Sequence, residues 1–273
     1  MKIILVYSFL LLAACAARPE TIREDLGKQA AALGFKEHIY QTGYFKIFTL
    51  QKITNPDLPL RIYIEGDGRA YLNKSMPSSD PTPQSRTLPE LVEEDNYPNI
   101  VYLARPCQYG LHDDKCGETF WTLGRFAPEV VNSENEVVHK FGNNKIELVG
   151  YSGGAEIAVF LAAANPNIIS LRTIAGNLDY NAFTKIHDSA PLIYSVNPDN
   201  AIKKISNLPQ VHFIGAEDTN ITAEVAQSYK AKQNLNSCSK FMLIDGATHS
   251  EGWQEKWPEL LAIVPTCIRS TAE

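Results

Sequence analysis

Apolar positions along the chain fall into two rhythms: short β-branched and aromatic runs, and longer stretches at helical spacing. Between residues 19 and 33, Ile22, Leu26, Ala30 and Leu33 share one face and Gly34 follows, which predicts an amphipathic helix with a natural stop. Residues 35–40 and 44–52 flank Gln41-Thr42-Gly43 and predict an antiparallel hairpin. Buried-type strands follow at 60–64, 100–103, 145–149, 171–175, 211–214 and 240–244. Helices are expected at 88–95, 126–141, 155–164, 222–233 (with Thr222 as cap) and 252–268, the last despite Pro258 and Pro265. Strands alternating with helices specify an α/β class: a mostly parallel sheet with helices on both faces, entered through an N-terminal antiparallel hairpin. No proline- or glycine-rich linker divides the chain, so residues 35–273 read as one domain. Residues 69–87 are rich in Ser and Pro around Asp80-Pro81-Thr82-Pro83, too long for a plain connector, and predict a functional loop.

The strand at 145–149 meets the helix at 155–164 through Gly150-Tyr151-Ser152-Gly153-Gly154. A Gly-x-Ser-x-Gly turn between strand and helix is a nucleophile elbow. Its glycines permit close backbone approach, and its serine stands exposed at a helix amino end that favours negative charge. The pentapeptide by itself also describes a glycine-rich βα turn; the flanking strand and helix supply the context that the chemistry requires.

A serine hydroxyl needs a base, and the base needs an acid to fix its tautomer. In an open parallel sheet these groups belong beyond the carboxyl ends of strands. Among six histidines, His38 lies in the hairpin, His139 in a helix and His212 within a strand, all positions of packing or surface. His112 and His187 lie in loops, but only His249, in Asp245-Gly246-Ala247-Thr248-His249-Ser250, directly follows the last strand, which makes it the expected base. Asp218 follows the 211–214 strand and is the expected acid. Asp179, after the preceding strand, is the alternative, with turn or helix-cap chemistry as its other reading.

The order Ser152, Asp218, His249 on a βα repeat resembles the α/β-hydrolase superfamily over nearly all the mature chain, with a closer likeness to a bacterial lipoprotein branch whose substrates are open. The resemblance implies an α/β-hydrolase fold, with Ser152 as nucleophile, His249 as general acid–base and Asp218 as the acid that orients it. The oxyanion would meet the backbone N–H of Gly153 and a second donor from the loop after the 60–64 strand. Where many relatives carry His-Gly, this chain reads Glu65-Gly66-Asp67-Gly68, so the N–H of Asp67 is the expected second donor, against a reading of Asp67 as a turn residue. Its carboxylate would oppose an oxyanion unless it points away or meets a cation, Arg69 or Arg105. Phe120, Trp121 and Trp253 are candidates for lining a pocket, with packing as the alternative. The stretch of some thirty residues between Asn177 and Pro209 leaves room for a helix or two, not for a large lid.

Composition narrows the partners. The 273 residues are 44% hydrophobic with a net charge of −6, which argues against nucleic acid. The reaction needs no cofactor or metal, and oligomeric state is left open. Met1-Lys2, an apolar stretch through Ala14 and then Cys15 resemble a bacterial lipoprotein signal, against an ordinary secretory signal or an anchor. Residues 1–14 would be the signal peptide, and residues 15–34 a spacer lipidated at Cys15. Ala16 after the cysteine implies an outer-membrane location facing the periplasm. Four cysteines remain. Cys107 and Cys116 bracket a short polar loop and are expected to pair. Cys238, before a strand, pairs with Cys267 in the final helix; a zinc site is disfavoured because no close Cys-x-x-Cys pair exists. Three functions compete: a serine hydrolase of the cell envelope cleaving an ester or other small acyl substrate through an acyl-enzyme on Ser152, a peptidase on the same scaffold, and a catalytically silent envelope-binding lipoprotein.

Overall fold

The computed structural model describes residues 18–142 and 144–267. The signal segment and Cys15 lie outside the described residues.

Eight strands form one sheet in the order β1-β2-β4-β3-β5-β6-β7-β8. The strands are β1 (Lys36–Gln41), β2 (Lys46–Ile53), β3 (Leu60–Ile64), β4 (Asn99–Leu103), β5 (Ile146–Tyr151), β6 (Ile168–Ile174), β7 (Gln210–Gly215) and β8 (Ser239–Ile244). β1 and β2 pair antiparallel, and β2 joins β4 antiparallel; every other pairing is parallel. β3 and β4 are buried at every position, as expected of mostly apolar strands covered on both faces, and the buried Arg61 of β3 is paired with Asp95 and Glu147.

Helices α1 (Pro19–Ala32), α2 (Thr87–Glu93), α3 (Pro128–His139), α4 (Gly153–Ala164), α5 (Tyr180–Ile186), α6 (Asp199–Lys204), α7 (Ala223–Lys232) and α8 (Trp257–Leu261) cover the two faces. One core holds Val130 and Val137 of α3, Ile157 and Leu161 of α4, Ile202 of α6 and Tyr229 of α7 against Ile62, Leu148 and Leu171. The other packs Leu26 and Ala30 of α1, Leu91 of α2 and Trp257 of α8 against Tyr63, Val149 and Phe213. The helix expected as a spacer thus rests on the sheet, and Arg23 of α1 donates to the Tyr109 carbonyl. Among the described residues no helix is long and apolar enough to cross a membrane.

Two expectations need correction. The final helix spans only Trp257–Leu261, with Pro258 in its first turn, where a missing N–H costs nothing. The apolar positions before it, Trp253 included, sit in turns, and Cys267 lies in irregular chain beyond it. Thr222 occupies the N-cap of α7, but its hydroxyl makes no cap bond. Both disulfides form as paired, Cys107–Cys116 and Cys238–Cys267.

The second bridge closes a loop with a sequence separation of 29 and ties the chain end to the approach to β8. In the chain-entropy account, the double variant Cys238→Ser/Cys267→Ser loses about 2–4 kcal/mol of stability, measured by urea unfolding.

Glu156, in the first turn of α4, is fully buried. Burial, and then the charge of Asp179, push its carboxyl well above the ordinary value of 4.5. The folded state therefore keeps a proton that the unfolded chain releases. This contribution to stability is complete below pH 4.5 and is lost as pH rises toward the folded-state value. Glu156→Gln removes the titration, so its Tm relative to the native chain climbs as pH is raised from about 4.5 to 8. A difference that stays constant across that range contradicts the assignment.

Candidate active site

The site is built on the turn from β5 into α4. Ser152 has φ 49° and ψ −120°, a left-handed conformation that costs a non-glycine residue on the order of 1–3 kcal/mol. Three hydrogen bonds hold it there. Its N–H donates to the Ile174 carbonyl of β6 at 3.1 Å, and its carbonyl accepts from Ala155 at 3.1 Å and Asn177 at 2.9 Å. A Cβ on Gly150 would strike the backbone of Ala155, and one on Gly154 the carbonyls of Ile64 and Glu65. The amino end of α4 is therefore pressed against the carboxyl end of β3, and only glycine fits at the contact.

The serine, the expected base and the expected acid meet in one line. His249 Nε2 is 3.1 Å from Ser152 Oγ, and His249 Nδ1 is 2.9 Å from Asp218 Oδ2. The Asp218 side chain is fully buried, and its other oxygen accepts from the N–H groups of Asn220 and Ile221, both at 2.8 Å. These bonds fix the orientation of the carboxylate. The base loop is tied on several sides. Tyr151 donates to the His249 carbonyl at 3.1 Å, Thr87 to the Ser250 carbonyl at 3.0 Å and Trp253 Nε1 to the Thr248 carbonyl at 2.9 Å. Glu217, beside the acid, donates its N–H to the Ala247 carbonyl at 3.0 Å, joining the acid loop to the base loop.

Asp179, the alternative acid, does not reach the histidine. It caps α5, accepting from Asn181 and Ala182, and also meets Ser228 Oγ at 2.6 Å and Lys232 Nζ at 2.9 Å. The other histidines are engaged elsewhere. His212 is buried between Thr173 and Gln210, and burial lowers its pKa to about 3. His139 meets Asn165, His112 meets Asp80 at 3.1 Å, and His187 donates to the Asn220 carbonyl at 2.7 Å on the wall of the cleft.

The loop after β3 lies beside the serine, with Gly66 packed on the Ser152 Cβ. Gln108 holds this loop by donating to the Gly66 carbonyl at 3.0 Å. The N–H groups of Gly153 and Asp67 have no hydrogen-bond partner among the described residues. For Gly153 this follows from its place in the first turn of a helix. The Asp67 carboxylate rests against Gly153, where any Cβ would overlap it. It meets two cations: Arg105 at 3.1 Å and Arg125 at 2.8 Å. Arg105 is one of the two cations expected. Arg69, the other, makes no such pair among the described residues, and Arg125 was not foreseen. Arg105 also binds Glu134 at 2.7 Å; burial pushes that carboxyl up to about 7 against the pull of Arg105. Burial likewise raises Glu65 to about 7, although Tyr102 and the Gly66 N–H donate to it.

An open cleft of about 920 Å³ covers Ser152, His249 and Asp67. It is lined by residues 65–71, 73, 74 and 83–85 from the chain after β3, and by residues 183, 184, 187–190 and 192 with Asn220 and Ile221 from the chain after β6 and β7. The aromatic residues expected there are elsewhere. Phe120 packs on Tyr44 and Phe45, Trp121 is buried with its N–H on the Ser78 carbonyl, and Trp253 is buried beneath the base loop. Phe183 and Leu192 supply apolar lining instead.

No protein-family model and no curated protein matches the sequence. Solved structures with the same architecture include a bacterial membrane phospholipase A, at TM-score 0.59 and 15% identity over 89% of each chain. Est1E from Butyrivibrio proteoclasticus aligns at TM-score 0.55 and 15% identity, covering 83% of this chain and 97% of its own. An esterase domain from Rhodothermus marinus aligns at TM-score 0.56 and 12% identity, covering 83% and 94%. The strand order, the elbow after β5 and these likenesses give one conclusion: the chain has the α/β-hydrolase fold.

Proposed function

We propose that the chain is a serine hydrolase that cleaves carboxylic esters through an acyl-enzyme on Ser152. The observation that carries this reading is the unbroken line Ser152 Oγ–His249 Nε2 and His249 Nδ1–Asp218 Oδ2, at 3.1 and 2.9 Å. That line lies on the floor of an open cleft. Neighbours of the same fold bear the names phospholipase and esterase, which agrees with ester chemistry.

In the first half-reaction Ser152 Oγ attacks the ester carbonyl carbon while His249 Nε2 takes the hydroxyl proton. The carbonyl π pair moves to oxygen, and the resulting oxyanion is met by the N–H groups of Gly153 and Asp67. The charge on Asp67 does not cancel this, because Arg105 and Arg125 hold its carboxylate. The intermediate collapses, the carbon–alkoxide bond breaks, and the proton on His249 passes to the leaving alcohol. Water repeats the sequence on the acyl-enzyme, giving up a proton to His249 and releasing the acid. Asp218 stays ionised throughout and stabilises the imidazolium. Cys15 as a lipid attachment point, placing the enzyme in the cell envelope on the periplasmic side, completes the proposal; the apolar leader and the small residues before Cys15 support it.

Ser152→Ala and His249→Ala each lower kcat on any ester turned over by about a thousandfold or more, with unchanged circular dichroism. Asp218→Asn keeps the shape, removes the charge and costs on the order of a thousandfold. Near-native turnover by any of the three rejects the reading.

Asp179→Asn behaves differently, because Asp179 caps a helix and binds Lys232. It loses about 1–3 kcal/mol of stability while kcat stays within a few-fold of native. A kcat loss as large as that of Asp218→Asn makes Asp179 part of the proton path.

A further inference from the structure

The two walls of the cleft differ in chemistry. The loop after β3 brings Arg69 and Lys74 to the cleft, and Arg125, from the chain between the Glu118–Trp121 turn and α3, lines it as well. Arg125 is committed to Asp67. Arg69 and Lys74 are exposed and have no carboxylate within ion-pair distance among the described residues. The protein as a whole is acidic, with a net charge of −6, so two unpaired cations beside the serine are a local reversal. Glu65, the remaining acid on this wall, is fully buried and donor-bound, facing Tyr102 rather than the cations.

The opposite wall presents Phe183 of α5, Ala190, Leu192 and Ile221 as its apolar side chains, set among Thr184, His187, Ser189 and Asn220. Its single carboxylate, Asp188, pairs with neither cation. Leu72 and Met76 flank Lys74 on a tight turn closed by the Tyr71–Pro77 bridge, at 48% and 53% exposure. Next to Leu192 in the chain, Ile193 and Tyr194 are 67% and 57% exposed. Exposed apolar side chains set beside unpaired cations suit neither a small neutral ester nor a hydrophilic anion. They match a molecule with an apolar tail and a negative head.

We propose that the cleft takes acyl esters of anionic amphiphiles. The acyl chain lies along Phe183, Leu192 and Ile221, and an anionic group on the alcohol side, such as a phosphate, is held by Arg69 and Lys74. This rests on the serine-hydrolase reading and names its substrate class. The ester linking the two halves then spans the region of Ser152, which lies between the walls.

Binding and turnover are measured separately. The Ser152→Ala protein is titrated calorimetrically with the decanoyl ester of glycerol phosphate, with decanoylglycerol and with glycerol phosphate, each below its aggregation concentration. The expected result is about tenfold tighter binding of the acylated phosphate than of the neutral ester at low salt, shrinking at high salt and abolished in Ser152→Ala/Arg69→Gln/Lys74→Gln. Glycerol phosphate alone should bind at least about tenfold more weakly than its acyl ester, because it leaves the apolar wall uncovered. Equal affinity for the charged and neutral esters overturns the proposal, as does equal affinity for glycerol phosphate with and without its acyl chain. The native enzyme is then assayed on both esters. Ser152-dependent hydrolysis with no preference for the phosphate sinks the substrate class and leaves the hydrolase intact. Selective binding without hydrolysis of either ester upholds the ligand class and sinks the hydrolase reading.

Discussion

Everything at the site depends on the close approach of α4 to the end of β3. That approach needs three positions without a Cβ: Gly150 against Ala155, Gly154 against the carbonyls of Ile64 and Glu65, and Gly153 against the Asp67 carboxylate. Once the helix is that close, Ser152 is forced into a left-handed conformation and its hydroxyl leaves the sheet plane toward the base. The strain is carried by hydrogen bonds to β6 and to Asn177, and by a helix so apolar that nearly every residue of it is buried. A looser packing of α4 would relax the serine and separate it from His249 at once.

The second constraint is electrostatic. A carboxylate beside a developing oxyanion is normally a liability, and Asp67 lies against the first residue of α4. Arg105 and Arg125 convert it into a structural anchor, and Arg105 is itself held by Glu134. Burial pushes the carboxyls of Glu134 and Glu65 up to about 7. The loop that carries the proposed oxyanion donor is thus fixed by charge and by Gln108, without the histidine that many relatives place there. The same loop continues into Arg69 and Lys74, whose charges are left for the cleft.

The alternation of buried strands and helices was readable because the strands of the sheet centre are short, mostly apolar runs, as at Leu60–Ile64 and Asn99–Leu103, in which the polar Arg61 and Asn99 are satisfied by hydrogen bonds. Asp218 and His249 were readable because both directly follow such runs, and a parallel sheet brings those ends together. Other features carried no local signal. Arg125 reaches Asp67 only because the chain folds back beyond the 3-10 turn at Glu118–Trp121. Trp253 and Trp257 mimic helical spacing, but Trp253 is buried in a turn and the helix starts only at Trp257. Trp121 and Trp253 were expected at a wet cleft as amphipathic rings. Their N–H groups find the carbonyls of Ser78 and Thr248, which allows both rings to be buried. Helices α5 and α6 are too short for periodicity to mark, so the apolar wall at Phe183 and Leu192 emerged only in three dimensions.

In the proposed reading, the fold raises a single serine, Ser152, to the reactivity of a nucleophile. Reaction of the native protein with a fluorophosphonate, followed by intact mass and peptide mapping, tests it without knowledge of the substrate. One adduct per chain, carried by Ser152, is the expected result. No adduct, or an adduct elsewhere with Ser152 unmodified, would contradict it.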